Sequence, residues 1–342
     1  MISAGSLLEQ VISEVISFPV GRVEYLYLHP LKFLEFLKAK GQYQAVKALT
    51  TIPIASYAHD ALLQFFHEYA IVGGMPEVVN LYVKNNNVTE IIHLYEGLWT
   101  SYKDDVKKYA SNTTDTRVIN HVISTAHLYL DQRIKFEKIG QSNYRSREVG
   151  EAIRNLNDVQ IIQLIYPTTD TTSPLKPNLH KSPRLQFLDT GLVNYMLQIH
   201  PQLLAMDDLS NAYKGALIPL LIYQELISLN SKISRKPHFW VRDKTQSTAE
   251  VDIVLPYQDK IIPIDIKSGK TGMLKSLHQF IEQSDHPYAV RIYGGPFSIE
   301  QHYTPRKRKD YLLMNLPYYL GTKLHDYLAY FVDNHCLSDH VD

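Results

Sequence analysis

The chain has 342 residues, with 35 basic and 35 acidic side chains, so no global field steers it to nucleic acid or acidic lipid and any such contact must be local. Its single cysteine, Cys336, excludes an internal disulfide or a cysteine-rich zinc site and fits a reducing cytoplasm. The longest purely apolar run, Ala216 to Tyr223, is broken by Pro219 and too short to cross a membrane, and Glu9 and Glu14 interrupt the N-terminal apolar stretch, so a soluble chain of two or three domains is expected.

In chain order, residues 1–41 begin with helical spacing in SLLEQVISEV, continue with strand character in VEYLYLHPL and end in a short helix. Forty residues cannot make an α/β domain, and a chain that opens on a core element without partner strands reads as the remnant of one. Residues 42–112 have a helical pattern, punctuated by Gly73-Gly74-Met75-Pro76 as a helix stop and restart. His59, His67 and His93 show no metal-ligand spacing there. Residues 113–200 read as helix, turn near Gly140, a second helix from Ser146 with Val149, Ala152, Ile153 and Leu156 on one face, a strand from Val159 to Tyr166, a loop and a further strand. That succession predicts a winged-helix-like domain. Arg145, Arg147 and Arg154 are the candidate phosphate contacts of its second helix, but Glu148, Glu151 and Asp158 cancel their charge and favour a packing role.

Residues 206–332 predict an α/β domain: a helix around LIPLLIYQELISL, the strand HFWVRD, a hairpin, a helix from Lys275 to Gln283, the strand YAVRIYG and a C-terminal helix. The fold class expected for the whole chain is therefore multidomain, part α-helical and part α/β. The densest basic run, Arg306 to Lys309, reads as a solvated loop, with phosphate contact as the alternative.

The hairpin AEVDIVLPYQDKIIPIDIKSGK, residues 249–270, holds the chemistry. A loop from Pro256 to Lys260 puts Leu255 opposite Ile262 and Asp252 opposite Asp265, with Lys267 on the face of Asp265. Val251, Ile253, Leu255, Ile262, Ile264 and Ile266 then form the apolar face, and a one-residue slip would bury the carboxylates. Two carboxylates facing each other repel, so Lys267 or a divalent cation must offset them. Mg²⁺ or Mn²⁺ on Asp252 and Asp265, with the Lys267 ammonium orienting a bound water, is the layout of a phosphodiester hydrolase. No nucleotide site is specified: Gly269-Lys270-Thr271 resembles the tail of a phosphate-binding loop, but its spacing needs glycine where Ile264 stands.

Taken in order, GSLLEQVISEVISFPVGRVEYLYLHPLKFLEFL, VGGMPEVV, LQFLDTGL, AEVDIVL and IIPIDIKSGK resemble the C-terminal portion of a prokaryotic AAA-type ATPase family whose members carry a C-terminal module of unknown function. The resemblance covers nearly the whole chain. It implies that residues 1–41 are a remnant of the ATPase domain, downstream of its phosphate-binding loop, so neither ATP binding nor ATPase activity is expected and Arg22 has no nucleotide to serve. The last module is similar to PD-(D/E)xK nucleases, in which a mixed sheet is flanked by helices. By that resemblance Asp252 is the strand aspartate, Asp265 the second acidic residue and Lys267 the lysine. Relatives commonly carry a glutamate in the preceding helix where this chain has Pro219. Glu225 matches a second glutamate of that helix, but six residues at roughly 100° each place it about 240° around the axis, so it does not replace the first.

Two functions follow as expectations. In one, the chain is a relative of these ATPases without ATPase activity, whose degenerate nuclease-like domain serves as an interaction module for a protein partner. In the other it is a Mg²⁺- or Mn²⁺-dependent phosphodiesterase acting on nucleic acid, with Asp252, Asp265 and Lys267 as its catalytic group. Pro219 and the zero net charge favour the first; the intact acidic pair and lysine favour the second.

Overall fold

The computed structural model describes residues 24, 26–106, 110, 112–141, 143–204, 209, 212, 215–229, 231, 236–244, 247–267 and 274–337. Most of the 1–41 remnant, with Arg22, and the Gly269-Lys270-Thr271 stretch lie outside the described residues. Among those described, no helix is long and apolar enough to cross a membrane.

The helical part comprises α1 (Phe33–Ala39), α2 (Tyr43–Thr50), α3 (His59–Val72), α4 (Pro76–Asn85) and α5 (Val88–Val106). The short α1 is well packed: Phe33, Phe36 and Leu37 are fully buried, and Phe33 meets Phe66 of α3 edge-on at 5.2 Å. Of the strand expected in VEYLYLHPL, Val23 and Tyr25 lie outside the described residues, and the described residues form none. Described residues 26–32 have no regular structure: the Tyr27 N–H bonds the Ser231 carbonyl (2.6 Å) and the Leu31 N–H that of Gly74 (2.7 Å), single bonds rather than a ladder among the described residues, and Leu28 is 95% exposed. The stop and restart at Gly73 to Pro76 is present. Gly73 takes φ +83°, open to glycine, and Pro76 begins α4, where its missing N–H is not needed.

Next come α6 (Thr113–Thr125) and α7 (Ser146–Asp158), whose Val149, Ala152, Ile153 and Leu156 form the buried stripe. A short ladder follows, β1 (Ile162–Ile165) antiparallel to β3 (Arg184–Phe187). It begins later than the expected strand because Val159 still closes α7, its N–H bonded to the Asn155 carbonyl, and Gln160 turns the chain at φ +65°. Between them β2 (Pro167–Thr168) leaves to join the large sheet, and α8 (Thr190–Leu197) and α9 (His200–Leu204) complete this region.

The remaining elements are α10 (Leu217–Ser228), β4 (His238–Val241), β5 (Glu250–Tyr257), β6 (Lys260–Ile266), α11 (Lys275–Ile281), β7 (Tyr288–Tyr293), β8 (Ser298–Tyr303), β9 (Asp310–Pro317) and α12 (Leu324–Asn334). They build a seven-stranded mixed sheet in the order β2-β4-β5-β6-β7-β9-β8, with β6, β7 and β9 parallel. One face carries Ile253, Leu255, Ile262, Ile264, Ile266, Val290 and Ile292 in a core continuous with α10, α12 and the helical part. The other packs Trp240, Val251, Val254, Ile261, Ala289, Tyr311 and Leu313 under α11. Pro219 is the third residue of α10, where its missing N–H has no intrahelical partner to lose.

The basic run is an exposed turn, as expected for a solvated loop, but its lysines are engaged. Lys309 Nζ donates to the carbonyls of Ile281 (2.9 Å) and Ser284, and Lys307 Nζ to that of Glu282 (2.9 Å), closing the carboxyl end of α11. Arg308 lies over the Tyr303 ring, 4.2 Å from its centroid.

The segments VGGMPEVV and LQFLDTGL meet in a buried polar knot with the YQEL stretch of α10. Asp189, fully buried, accepts the N–H of Gly74 (2.6 Å) and of Leu192 (3.0 Å), and the Tyr95 hydroxyl lies 2.9 Å from its Oδ1. Asn194 Nδ2 donates to the carbonyls of Ala70 and Ile71, and the Tyr95 hydroxyl reaches that of Val72 at 2.7 Å. Gln224 Oε1 accepts the Thr190 N–H (3.2 Å), and its Nε2 donates to the Tyr69 hydroxyl (2.9 Å). Gly191 lets these groups close up, since a Cβ there would sit 2.0 Å from the Tyr95 hydroxyl oxygen. Gly191→Ala should therefore lower the unfolding free energy by about 2–3 kcal/mol through overpacking. Asp189→Ala should cost about 3 kcal/mol or more by stranding several buried donors. Urea unfolding monitored by circular dichroism measures both, and losses below about 1 kcal/mol would show that the knot carries little of the stability.

Candidate functional site

Hairpin β5–β6 has the expected register, Leu255 opposite Ile262 and Ile253 opposite Ile264, but its loop is tighter than expected, since Tyr257 already pairs with Lys260. Gln258 makes this possible by adopting φ +53°. The simple alternation fails on the other side of β5. There β5 carries one extra residue relative to β4, between the pairs Trp240–Val251 and His238–Val254. Val251 consequently packs under α11 rather than with Ile253 and Leu255.

Asp252 sits in this bulge. Its Oδ2 accepts the N–H of Ile266 (2.8 Å), a side chain standing in for a ladder bond, while the Tyr223 hydroxyl of α10 donates to its carbonyl (2.6 Å). Its Oδ1 faces Arg184 Nη2 at 3.1 Å. Arg184, in β3, also bonds Glu250 through Nε (2.8 Å) and Nη2, and pairs with Asp131 at 3.4 Å. Its guanidinium lies 4.9 Å from the centre of the Phe239 ring, and Arg133 joins Glu250 at 3.7 Å. Two arginines thus hold three carboxylates. Burial pushes Asp131 up to about 7, the Asp252 and Glu250 charges adding to it while Arg184 and Gln186 pull down. Burial disfavours the Arg184 charge too, but Asp131 and Asp252 hold it protonated.

Asp265 is 3% exposed. Alternating with Ile264 and Ile266, it turns to the α11 side, whereas Asp252 is engaged by residues of the α10 side. Lys267 Nζ lies 2.6 Å from Asp265 Oδ2. Burial and then the Asp252 charge raise the Asp265 carboxyl above its usual range, against Lys267 and Arg291. The two carboxylates are therefore close enough to repel while each has its own cation. Among the described residues no group of three or more histidine, cysteine, aspartate or glutamate side chains is placed to hold a metal ion.

Glu225 is fully buried elsewhere. Its Oε1 accepts the Phe33 N–H (2.7 Å) and lies 3.0 Å from the Tyr69 hydroxyl, tying α10 to α1 and α3. Arg184 is the residue that spacing arguments miss. It stands 68 positions from Asp252, and the signal was an arginine in a short, mainly apolar stretch, PRLQFL.

Arg184→Met should cost about 3–5 kcal/mol at neutral pH by leaving buried carboxylates unpaired, and Arg184→Lys should recover only part, since an ammonium lacks the guanidinium's fork. Urea unfolding reads both; a loss under about 1 kcal/mol would remove Arg184 from its anchoring place. Burial also raises Glu225 to about 7, against the Phe33 N–H, Thr322 and Tyr69. A native carboxyl that keeps its proton up to about 7, when the unfolded chain releases it near its ordinary value of 4.5, makes stability fall as pH rises between those values. Glu225→Gln should flatten that fall by on the order of 3 kcal/mol. Equal slopes for both proteins between pH ~4 and ~8 would show Glu225 ionised in the native state.

Residues 63–203, from α3 into α9, match the family model of a domain of unknown function (DUF8612). Comparison with curated proteins and with solved structures finds no match. Residues 214–317, from just before α10 to the end of β9, match a second domain of unknown function (DUF4143), a C-terminal domain typically found with AAA-type ATPases.

Proposed function

We propose that this chain is a non-enzymatic interaction module: a relative of AAA-type ATPases without ATPase activity, whose nuclease-like sheet is kept as a scaffold and whose partner is a protein. The observation that carries the reading is the engagement of Asp252. One oxygen is taken by the Ile266 N–H and the other by Arg184, so a metal ion would have to displace a buried guanidinium to bind there. Pro219 supports it, since it offers no carboxylate where the nuclease pattern has one. Residues 113–200 read as winged-helix-like, with α7 used for packing. Arg147 pairs with Glu151 at 3.0 Å and Arg154 lies 5.9 Å from the Phe136 ring centre, so both have intramolecular partners.

The second reading, a Mg²⁺- or Mn²⁺-dependent phosphodiesterase, is favoured by one observation: Asp265 and Lys267 are in contact and Asp252 is within electrostatic reach of them. Metal separates the two. For an interaction module, millimolar Mn²⁺ should shift the melting temperature by less than about 1 °C and leave supercoiled plasmid intact. A saturable, Mn²⁺-dependent rise that Asp252→Asn abolishes, together with nicking of the plasmid, would replace the module with the phosphodiesterase. Titration of the full chain with labelled ATP should show no saturable binding at millimolar nucleotide; saturable binding would overturn the loss of ATPase chemistry.

A further inference from the structure

Where α1, α10 and α12 come together, the surface holds a cleft of about 320 Å³ that no residue of the acidic hairpin lines. Lys32 enters it from just before α1, Leu229 from just after α10 and Lys323 from just before α12, with Leu34 and Thr322 beside them. Sites for small molecules run from ~300 to ~1,000 Å³, so a cleft of this size suits a small ligand.

The lining has an apolar and a cationic part. Leu34 and Leu229, both partly buried, give the apolar wall. The Lys32 ammonium stands 3.8 Å from the exposed Glu35 carboxylate and makes no hydrogen bond among the described residues. Lys323 Nζ donates to Asp326 at 2.9 Å, which occupies one of its three donors. Burial holds the His325 imidazole below its usual range, against the Asp326 charge, so it adds no positive charge at neutral pH. Behind the cleft is Glu225, whose carboxyl burial raises to about 7 while the Phe33 N–H, Thr322, Tyr69 and, last, the Lys32 charge pull it down. Below that pH the carboxyl keeps its proton and does not neutralise Lys32. Two ammonium groups with donors to spare, beside a short apolar wall, match a carboxylate carried on a small apolar body.

We propose that this cleft binds a small organic carboxylate, its charged end on Lys32 and Lys323 and its apolar body on Leu34 and Leu229. The site is separate from the sheet and goes beyond the interaction reading, which neither requires it nor fails with it. Saturation-transfer NMR on the full chain at constant ionic strength tests it, with hexanoate, butanoate and hexylamine as probes. Hexanoate should bind saturably, butanoate about tenfold more weakly for its missing methylenes, and hexylamine not at all. Lys32→Gln should weaken hexanoate binding about tenfold or more, and Lys323→Gln by less, because Asp326 already takes one of its donors. Arg147→Gln, on the exposed face of α7, should leave it unchanged. No saturable binding of hexanoate, equal affinity for the two acids, equal binding of hexylamine, or hexanoate affinity unchanged by Lys32→Gln overturns the proposal. If Lys32→Gln does not fold, Lys323→Gln carries the test, and unchanged affinity there has the same consequence.

Discussion

The carboxyl end of α3 is buried, and a buried helix end must find donors for its last carbonyls. That requirement organises much of the molecule. Ala70 and Ile71 are met by Asn194, and Val72 by Tyr95. Asp189 opens α8, the helix that carries Asn194, touches the Tyr95 hydroxyl and fixes the Gly74 N–H just beyond α3. Gly73 and Gly191 are small because this knot leaves no room for a Cβ. Gln224 and Glu225 then couple it to α10, and through α10 to the sheet.

At the sheet, the same economy governs the acidic residues. A bulge in β5 places the Asp252 carboxylate where a backbone bond to Ile266 would otherwise form, and Arg184 links that carboxylate to Glu250 and Asp131. The arginine sits in β3, so the ionic network joins the β1–β3 region to the sheet across segments remote in sequence. Asp265, one strand over and turned the other way, answers to Lys267. A pattern that resembles a catalytic triad is thus divided between two faces, each half with an intramolecular partner.

Local patterns made a good part of this legible. The stripe Val149, Ala152, Ile153 and Leu156 gave α7 by its period, glycine and proline marked the break between α3 and α4, and alternation gave the β5–β6 register. What failed depended on partners. VEYLYLHPL has strand composition, yet among the described residues no strand pairs with it. Strand β9 hides in YLLMNLP, where burial on both faces erases alternation, and β8 hides because this edge strand, SIEQHY, is mostly polar and no more than partly buried. The bulge that moved Val251 is set by pairing with β4, invisible in β5 alone. Arg184 and Arg291 act through residues 68 and 24 positions away, and spacing rules do not reach that far. The motifs VGGMPEVV and LQFLDTGL suggested common ancestry, while their physical use, closing a buried helix end, appears only when they meet.

The Phe33 N–H is bonded to Glu225, 192 positions later, the Ile54 N–H to the Tyr327 hydroxyl, 273 later, and His59 to Tyr319, 260 later. On a ribosome, the first helices therefore emerge long before the side chains that complete their polar contacts. Loop closures of that length are slow and precede the contacts that reward them, so the amino-terminal helices wait, incompletely satisfied, until α10 and the stretch leading into α12 have been made. For these contacts synthesis order and assembly order run in opposite directions, so the polar groups of the earlier helices stay unmet until the later residues have been made.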